Sequence, residues 1–386
     1  MAQTQIEWTW RRVRRDTLSI SQLQYALDID AVVSGDLITL PGFTFNPWIG
    51  CTKVSPGCLH CYAAELDLRR FSKTLGGATK ETPIVHWGKG APRYRTSSSN
   101  WLKPRKWNRD AQYLGVRLRV FSSSLADWLD CEAPIDWLAD FLALVASCPW
   151  LDWILVTKRP ENWRARMAQV RDGADLNPAG RAFAAAWLAG GIWKNVWIVV
   201  STEDQKRAEE RVPIALDIPA IVHGASAEPL LGPINFRRLD VGDGNMLDAL
   251  QGVYHVDGRG ARDRMQSKLN WVIVGGESGN DVASPDGKLI STIRGMHPQW
   301  ARSLRDQSHS SGAAYFHKQN GEWQQVFMAQ ASHWLWLDGK MEPLQVNADL
   351  ALNAGAVPVW RVGTTNSGKR LDGREHVETP KEAEAA

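Results

Sequence analysis

The chain has 386 residues, a mass of 43.1 kDa, 44% hydrophobic and 23% charged residues. This composition excludes a wholly disordered or fibrous chain, and its length suits two or three domains or one α/β barrel. A net charge of +3 with a pI near 8.6 is weakly basic and says little about nucleic acid, since a specific binder shows a basic stripe and not a small surplus.

Taken from the start, residues 1–15 contain no apolar core of a signal peptide. No apolar run reaches the ~18 residues of a membrane helix. A cytoplasmic chain with no membrane partner is therefore expected. Arg11, Arg12, Arg14 and Arg15 form one basic cluster, read as a solvated face. A short helix is expected at 21–27 and a β-rich piece at 31–40. A strand at 45–50 runs into the first cysteine.

Five cysteines, an odd number in a long chain without a leader, argue against a disulfide framework. Cys131 and Cys148 read as ordinary thiols. The other three crowd into CTKVSPGCLHC, residues 51–61. The C-x2-C spacing of Cys58 and Cys61 lets two thiolates grip one metal centre, and a Ser-Pro-Gly turn can fold Cys51 back to them. Three thiolates leave the set one ligand short. A structural zinc site would need a fourth ligand, His60 or a distant residue. A 4Fe–4S cluster on three thiolates would leave one iron open, which suits S-adenosylmethionine binding.

Further along, WILVTKR (153–159), WIVVSTE (197–203) and WVIVGGE (271–277) align without gaps. Such Val- and Ile-rich runs read as buried parallel strands. Looser relatives lie at 119–124, 220–228 and 313–318. Helical patterns fall between them: at 135–145, at 161–188 with a break near Asn177-Pro178, at 204–216, and at 297–310 with Gly312 as its C-cap. The expected fold class is α/β, a partial or complete (β/α) barrel of six to seven parallel strands. Barrel chemistry sits at C-terminal strand ends. Those ends carry Cys51, Asp127, Lys158 with Arg159, Glu203, Glu228, Gly275-Gly276-Glu277 and Lys318.

The chain resembles the phage-associated three-cysteine-motif proteins, which look radical-SAM-like. The matching pieces are IEWT (6–9), NPWIGC (46–51), SPGCLHCYA (55–63), TKRP (157–160), SAEPLLG (226–232), WVIVGGESG (271–279) and KRLDGR (369–374). The resemblance implies a partial α/β barrel and a 4Fe–4S cluster on Cys51, Cys58 and Cys61. It further implies S-adenosylmethionine on the open iron, cleaved to a 5′-deoxyadenosyl radical with an electron from an external donor. His60 and Tyr62, flanking the third cysteine, are expected near the adenine. Gly275, Gly276 and Glu277 resemble a methionine-binding segment, with Glu203 or Glu228 as alternatives for the amino-acid end. Lys158, Arg159, Asp127 and Lys318 are candidate substrate contacts, and a nucleotide, a nucleic acid and a partner protein are all open. The rivals are a zinc-binding module and a non-catalytic phage-associated interaction protein. The C-x6-C gap departs from the commonest radical-SAM spacing, C-x3-C-x2-C, while an insertion at 10–44 and the residues around Lys318 (HKQNG, 317–321) depart from the family. The expected division is a segment at 1–44, a barrel at 45–325 and an extension at 326–386 whose end is loose.

The 20 tryptophans, against 9 Phe and 6 Tyr, first suggest stacking platforms for bases. Their positions suggest packing instead. Trp153, Trp197 and Trp271 open strands; Trp137, Trp163 and Trp300 lie on covering helices. Their buried indole nitrogens need acceptors. Only Trp48 and Trp128 lie near the candidate site.

Overall fold

The computed structural model describes residues 6–255, 267–284, 286–345 and 347–380. Through the N-terminal half run β1 (Arg11–Arg14), α1 (Ile20–Asp28), β2 (Val32–Ser34), β3 (Leu37–Leu40), β4 (Phe43–Phe45), α2 (Tyr62–Arg69), α3 (Ser98–Leu114), β5 (Leu118–Ser122) and α4 (Ile135–Ser147). Then come β6 (Leu151–Thr157), α5 (Trp163–Asp172), α6 (Pro178–Leu188), β7 (Val196–Ser201), α7 (Gln205–Leu216), β8 (Val222–Ala227), β9 (Trp271–Gly275), α8 (Pro298–Ser311) and β10 (Ala314–Gln319).

Seven of these strands form one open sheet in the order β10-β9-β8-β7-β6-β5-β4. The pairs β4–β5, β5–β6, β8–β9 and β9–β10 are parallel. The order follows the chain and never reverses, as in a barrel and unlike a doubly wound sheet. With β4 and β10 as edges, the barrel is partial. The expected first strand is divided. Phe43–Phe45 pairs with β5, whereas Trp48–Ile49 pairs antiparallel with Tyr94–Arg95. Pro47, which has no N–H to give to a ladder, lies between them.

The chain divides into two compact units that interleave in sequence. The first comprises residues 1–52, 66–199 and 218–221. Its N-terminal piece is the expected helix and β-rich segment: β1, β3 and β2 form a small antiparallel sheet, and Ser19 with Gln22 closes a capping box on α1. Phe45, Phe141 and Trp153 meet edge to face or stacked at 5.7–6.0 Å. The break expected near Asn177 is real, because Asn177 caps α6 and Pro178 starts it. Gly180 lets α6 reach α4, since a Cβ there would lie 2.0 Å from the Ala139 carbonyl oxygen. Helix α3 is absent from the expectation. Its buried face, Pro104, Trp107, Ala111 and Leu114, has helical spacing but includes a proline.

The second unit comprises residues 53–65, 200–217 and 222–386. Beyond β10 it adds a four-stranded antiparallel sheet of β11 (Trp323–Gln325), β12 (His333–Leu335), β13 (Met341–Pro343) and β14 (Val357–Arg361), in the order β11-β14-β12-β13. Ile293, Trp323, Leu335 and Val359 form its core. The chain end docks on this unit. Val377 bridges Phe316 on β10, and the His317 N–H donates to the His376 carbonyl at 2.8 Å. The edge strand is thereby covered. Residues 381–386 of the expected loose end lie outside the described residues.

The tryptophans are mostly core, as their positions suggest. Trp48, Trp128, Trp153, Trp187, Trp197, Trp271 and Trp300 are fully buried. The indole N–H groups of Trp187, Trp271, Trp300 and Trp323 find backbone carbonyls. Those of Trp48, Trp128, Trp153 and Trp163 have no acceptor among the described residues, contrary to expectation. Trp128 stacks on Trp187 at 6.0 Å, so both indoles serve packing. Among the described residues no helix is long and apolar enough to cross a membrane.

The α4–α6 contact gives a direct test. Gly180→Ala must push the two helices apart, and urea unfolding should show a loss of about 1–3 kcal/mol.

Candidate functional site

In the first unit, the loops after β5 and β6 converge on Asp127. Its Oδ1 accepts from the Thr157 hydroxyl at 2.7 Å and the Leu129 N–H at 3.0 Å. Its Oδ2 accepts from the Lys158 N–H at 2.9 Å and pairs with Arg159 Nη1 at 3.0 Å. Arg159 Nη1 also lies 3.3 Å from Cys51 Sγ, and Nη2 donates to the Thr52 carbonyl. Asp127 and Arg159 are both buried. The carboxylate thus aims the guanidinium, and the guanidinium meets the thiol. Burial pushes the Cys51 thiol up to about 12, against the opposing pull of the Arg159 charge.

The Cys51 backbone is held as firmly. Gly50 has φ +113, and a Cβ there would lie 2.4 Å from the His86 carbonyl oxygen, so only glycine fits. The Gly50 N–H donates to the Leu125 carbonyl, and the Cys51 carbonyl accepts from the Gly88 N–H at 2.9 Å. Buried Arg93 braces this loop. It pairs with Asp130 at 2.8 Å and Glu132 at 3.2 Å, and donates to the Thr52 hydroxyl and to the carbonyls of His86, Gly88 and Ala91. Asp67 accepts from the His86 backbone N–H at 2.8 Å, and its other oxygen lies 2.7 Å from His86 Nδ1. The sequence reading missed these residues. Its only trace of them is the acidic run DWLDCE at 127–132.

In the second unit, Pro56–Cys58 forms a single 3-10 turn leading to Cys61 and α2. The Ser55 hydroxyl lies 3.8 Å from Cys58 Sγ. His60 is buried between the two cysteines in sequence. Its Nδ1 lies 2.9 Å from the Asn280 carbonyl oxygen, its Nε2 3.4 Å from Ser291 Oγ and 3.9 Å from Glu277 Oε2. Both ring nitrogens are thus committed to the 277–291 segment. His60 is an anchor here, placed to tie the cysteine loop to later chain. Tyr62 is half exposed at the start of α2.

The expected acidic residues meet partners in the same unit. Buried Glu203 accepts from the Gly57 N–H at 3.3 Å and pairs with Arg211 at 2.8 Å. Glu228 pairs with Lys318 at 2.9 Å. Gly275 makes room for Glu228, because a Cβ would lie 2.3 Å from its Oε1. Gly276 likewise admits the Asn320 backbone. Glu277 is bound by Arg294, whose backbone N–H and Nε reach Oε2 at 2.8 and 2.9 Å while Nη2 reaches Oε1. Arg294 also donates to the Pro56 carbonyl at 2.9 Å. The glycine-rich segment therefore brings chain to chain around Glu228 and Glu277.

As a donor set, Cys51, Cys58 and Cys61 are free, half-buried thiols. Thiolates suit iron–sulfur ligation, and a guanidinium hydrogen-bonded to one sulfur offsets its negative charge. In residue type the three cysteines are the donors such a group takes, with Cys51 in the first unit and Cys58 and Cys61 in the second. The ring nitrogens of His60 are engaged by Asn280 and Ser291.

A family model described as "Protein of unknown function (DUF5131)" matches residues 37–380, and the chain belongs to that family. No curated protein and no solved structure matches it.

The thiol environments predict an order of reactivity in metal-free protein. Cys131 is exposed, whereas burial pushes the Cys51 thiol from 9.0 to about 12 and also raises that of Cys148. Less thiolate at neutral pH means slower alkylation. Mass spectrometry after iodoacetamide treatment should find Cys131 modified at least about a hundredfold faster than Cys51.

Proposed function

We propose that this family member is a radical-SAM-type iron–sulfur enzyme whose substrate carries an anionic group. The observation that carries the reading is the buried Asp127–Arg159–Cys51 chain, which places a fixed cation on the first sulfur of the three-cysteine motif. Cys51, Cys58 and Cys61 would hold a 4Fe–4S cluster with S-adenosylmethionine at its open iron. When bound, that group supplies one-electron reductive cleavage of the sulfonium, with the electron from an external donor.

The chain's own residues prepare that chemistry. Arg159 offsets part of the burial penalty on the Cys51 thiolate, the form that ligation requires. Asp127 keeps Arg159 on the sulfur, because its carboxylate is itself fixed by the Leu129 N–H, the Thr157 hydroxyl and the Lys158 N–H. Gly50 and the Arg93 network fix the backbone at Cys51. Glu203, held by Arg211, fixes the turn before Cys58 through Gly57. Lys318 is partly exposed and paired with Glu228, so an anionic substrate group can exchange for that carboxylate.

Anaerobic preparation should yield about four irons per chain, and dithionite with S-adenosylmethionine should yield 5′-deoxyadenosine. Cys58→Ala should lose both. Stoichiometric zinc without iron after the same preparation overturns the reading. Asp127→Asn should keep the iron yet slow 5′-deoxyadenosine formation at least about tenfold, since it acts through Arg159 and not as a ligand.

A further inference from the structure

We infer a second metal site in this protein, formed by His309, His376 and Glu378, for a divalent transition-metal ion of the zinc class. It is independent of the iron–sulfur reading. One ligand atom from each of the three residues lies within 4.8 Å of the others. His309 is in the last turn of α8. His376 and Glu378 flank Val377, which bridges β10, and alternation along an extended chain puts them on one side.

Two further observations point to a ligand. His376 is only 5% exposed, and its Nδ1 has no hydrogen-bond partner among the described residues. A buried ring nitrogen with no partner costs free energy that a metal ion would recover. Glu378 is already oriented. Its Oε2 accepts from the Tyr315 N–H at 3.2 Å, and its Oε1 lies 3.0 Å from His309 Nε2. The nearby cation Arg305 is engaged by Asp306 and Asp372, so it does not compete for Glu378.

Two imidazoles and one carboxylate form a three-ligand set that suits zinc and its neighbours, whereas calcium and magnesium prefer all-oxygen sites. His309 is partly exposed, which gives an ion a way in and leaves a further coordination position to water. An ion here would fasten the chain end to both α8 and the sheet edge. Its effect would be to hold residues 376–378 in place.

Cobalt(II) titration of the full chain tests this, because thiolate ligation gives an intense sulfur charge-transfer band and a His–His–Glu site gives only ligand-field bands. The parent should bind one equivalent with ligand-field bands and no sulfur band attached to them. His309→Ala, on the surface, should weaken that equivalent at least about tenfold while leaving any sulfur-band signal unchanged. Glu378→Gln should do the same. Absence of a sulfur-free equivalent in the parent, or an unchanged affinity in His309→Ala, overturns the site. Neither result depends on whether the cysteines hold iron.

Discussion

A buried carboxylate that holds a buried guanidinium against a thiol is the constraint around which the first unit is arranged. Removing either charge alone would strand the other away from water. Asp127 therefore fixes the ends of β5 and β6 relative to each other, and Arg159 carries that fixed position to Cys51. The Gly50 turn and the Arg93 brace reach the same cysteine from the backbone side. A half-buried thiol held from so many directions is costly to arrange for packing alone, since Cys fills little volume.

The second unit solves a similar problem with different parts. Two acidic residues, Glu203 and Glu277, are paired with Arg211 and Arg294, and both pairs touch the turn before Cys58 through backbone groups. Glu228 and Lys318 form the pair with appreciable exposure. This distinguishes residues that hold the loop from residues whose pairing is open to solvent. Gly275 and Gly276 belong to the first class, because the space they leave is filled by Glu228 and the Asn320 backbone.

Much of the fold is legible in the sequence because its strands are continuous apolar runs. Trp153, Trp197 and Trp271 mark three of them, and the break at Asn177-Pro178 marks two helices. Helix α3 is not legible, because its apolar face is short and includes Pro104. The four-stranded sheet from Trp323 to Arg361 is hidden by strands of only three to five residues. At the site, strand-end positions pointed to Asp127, Arg159 and the glutamates, but pairing is tertiary. Nothing along the chain says that Asp127 would select Arg159, or that Arg294 would occupy Glu277. Arg93 and His86 lie in a Gly-rich loop without periodicity, and Asp67 reaches it from α2, so the buried network leaves no pattern.

His60 makes its contact with Asn280 across 220 residues of sequence. At about 5–20 residues per second, a ribosome needs roughly 10–45 seconds to supply that partner. Over that interval Cys58 and Cys61 have been synthesised but the segment that anchors their loop has not. Their thiols then face oxidants and stray metals without the shelter of the finished unit. The loop that carries them is therefore fixed late in the life of the chain, once residues 277–294 have emerged.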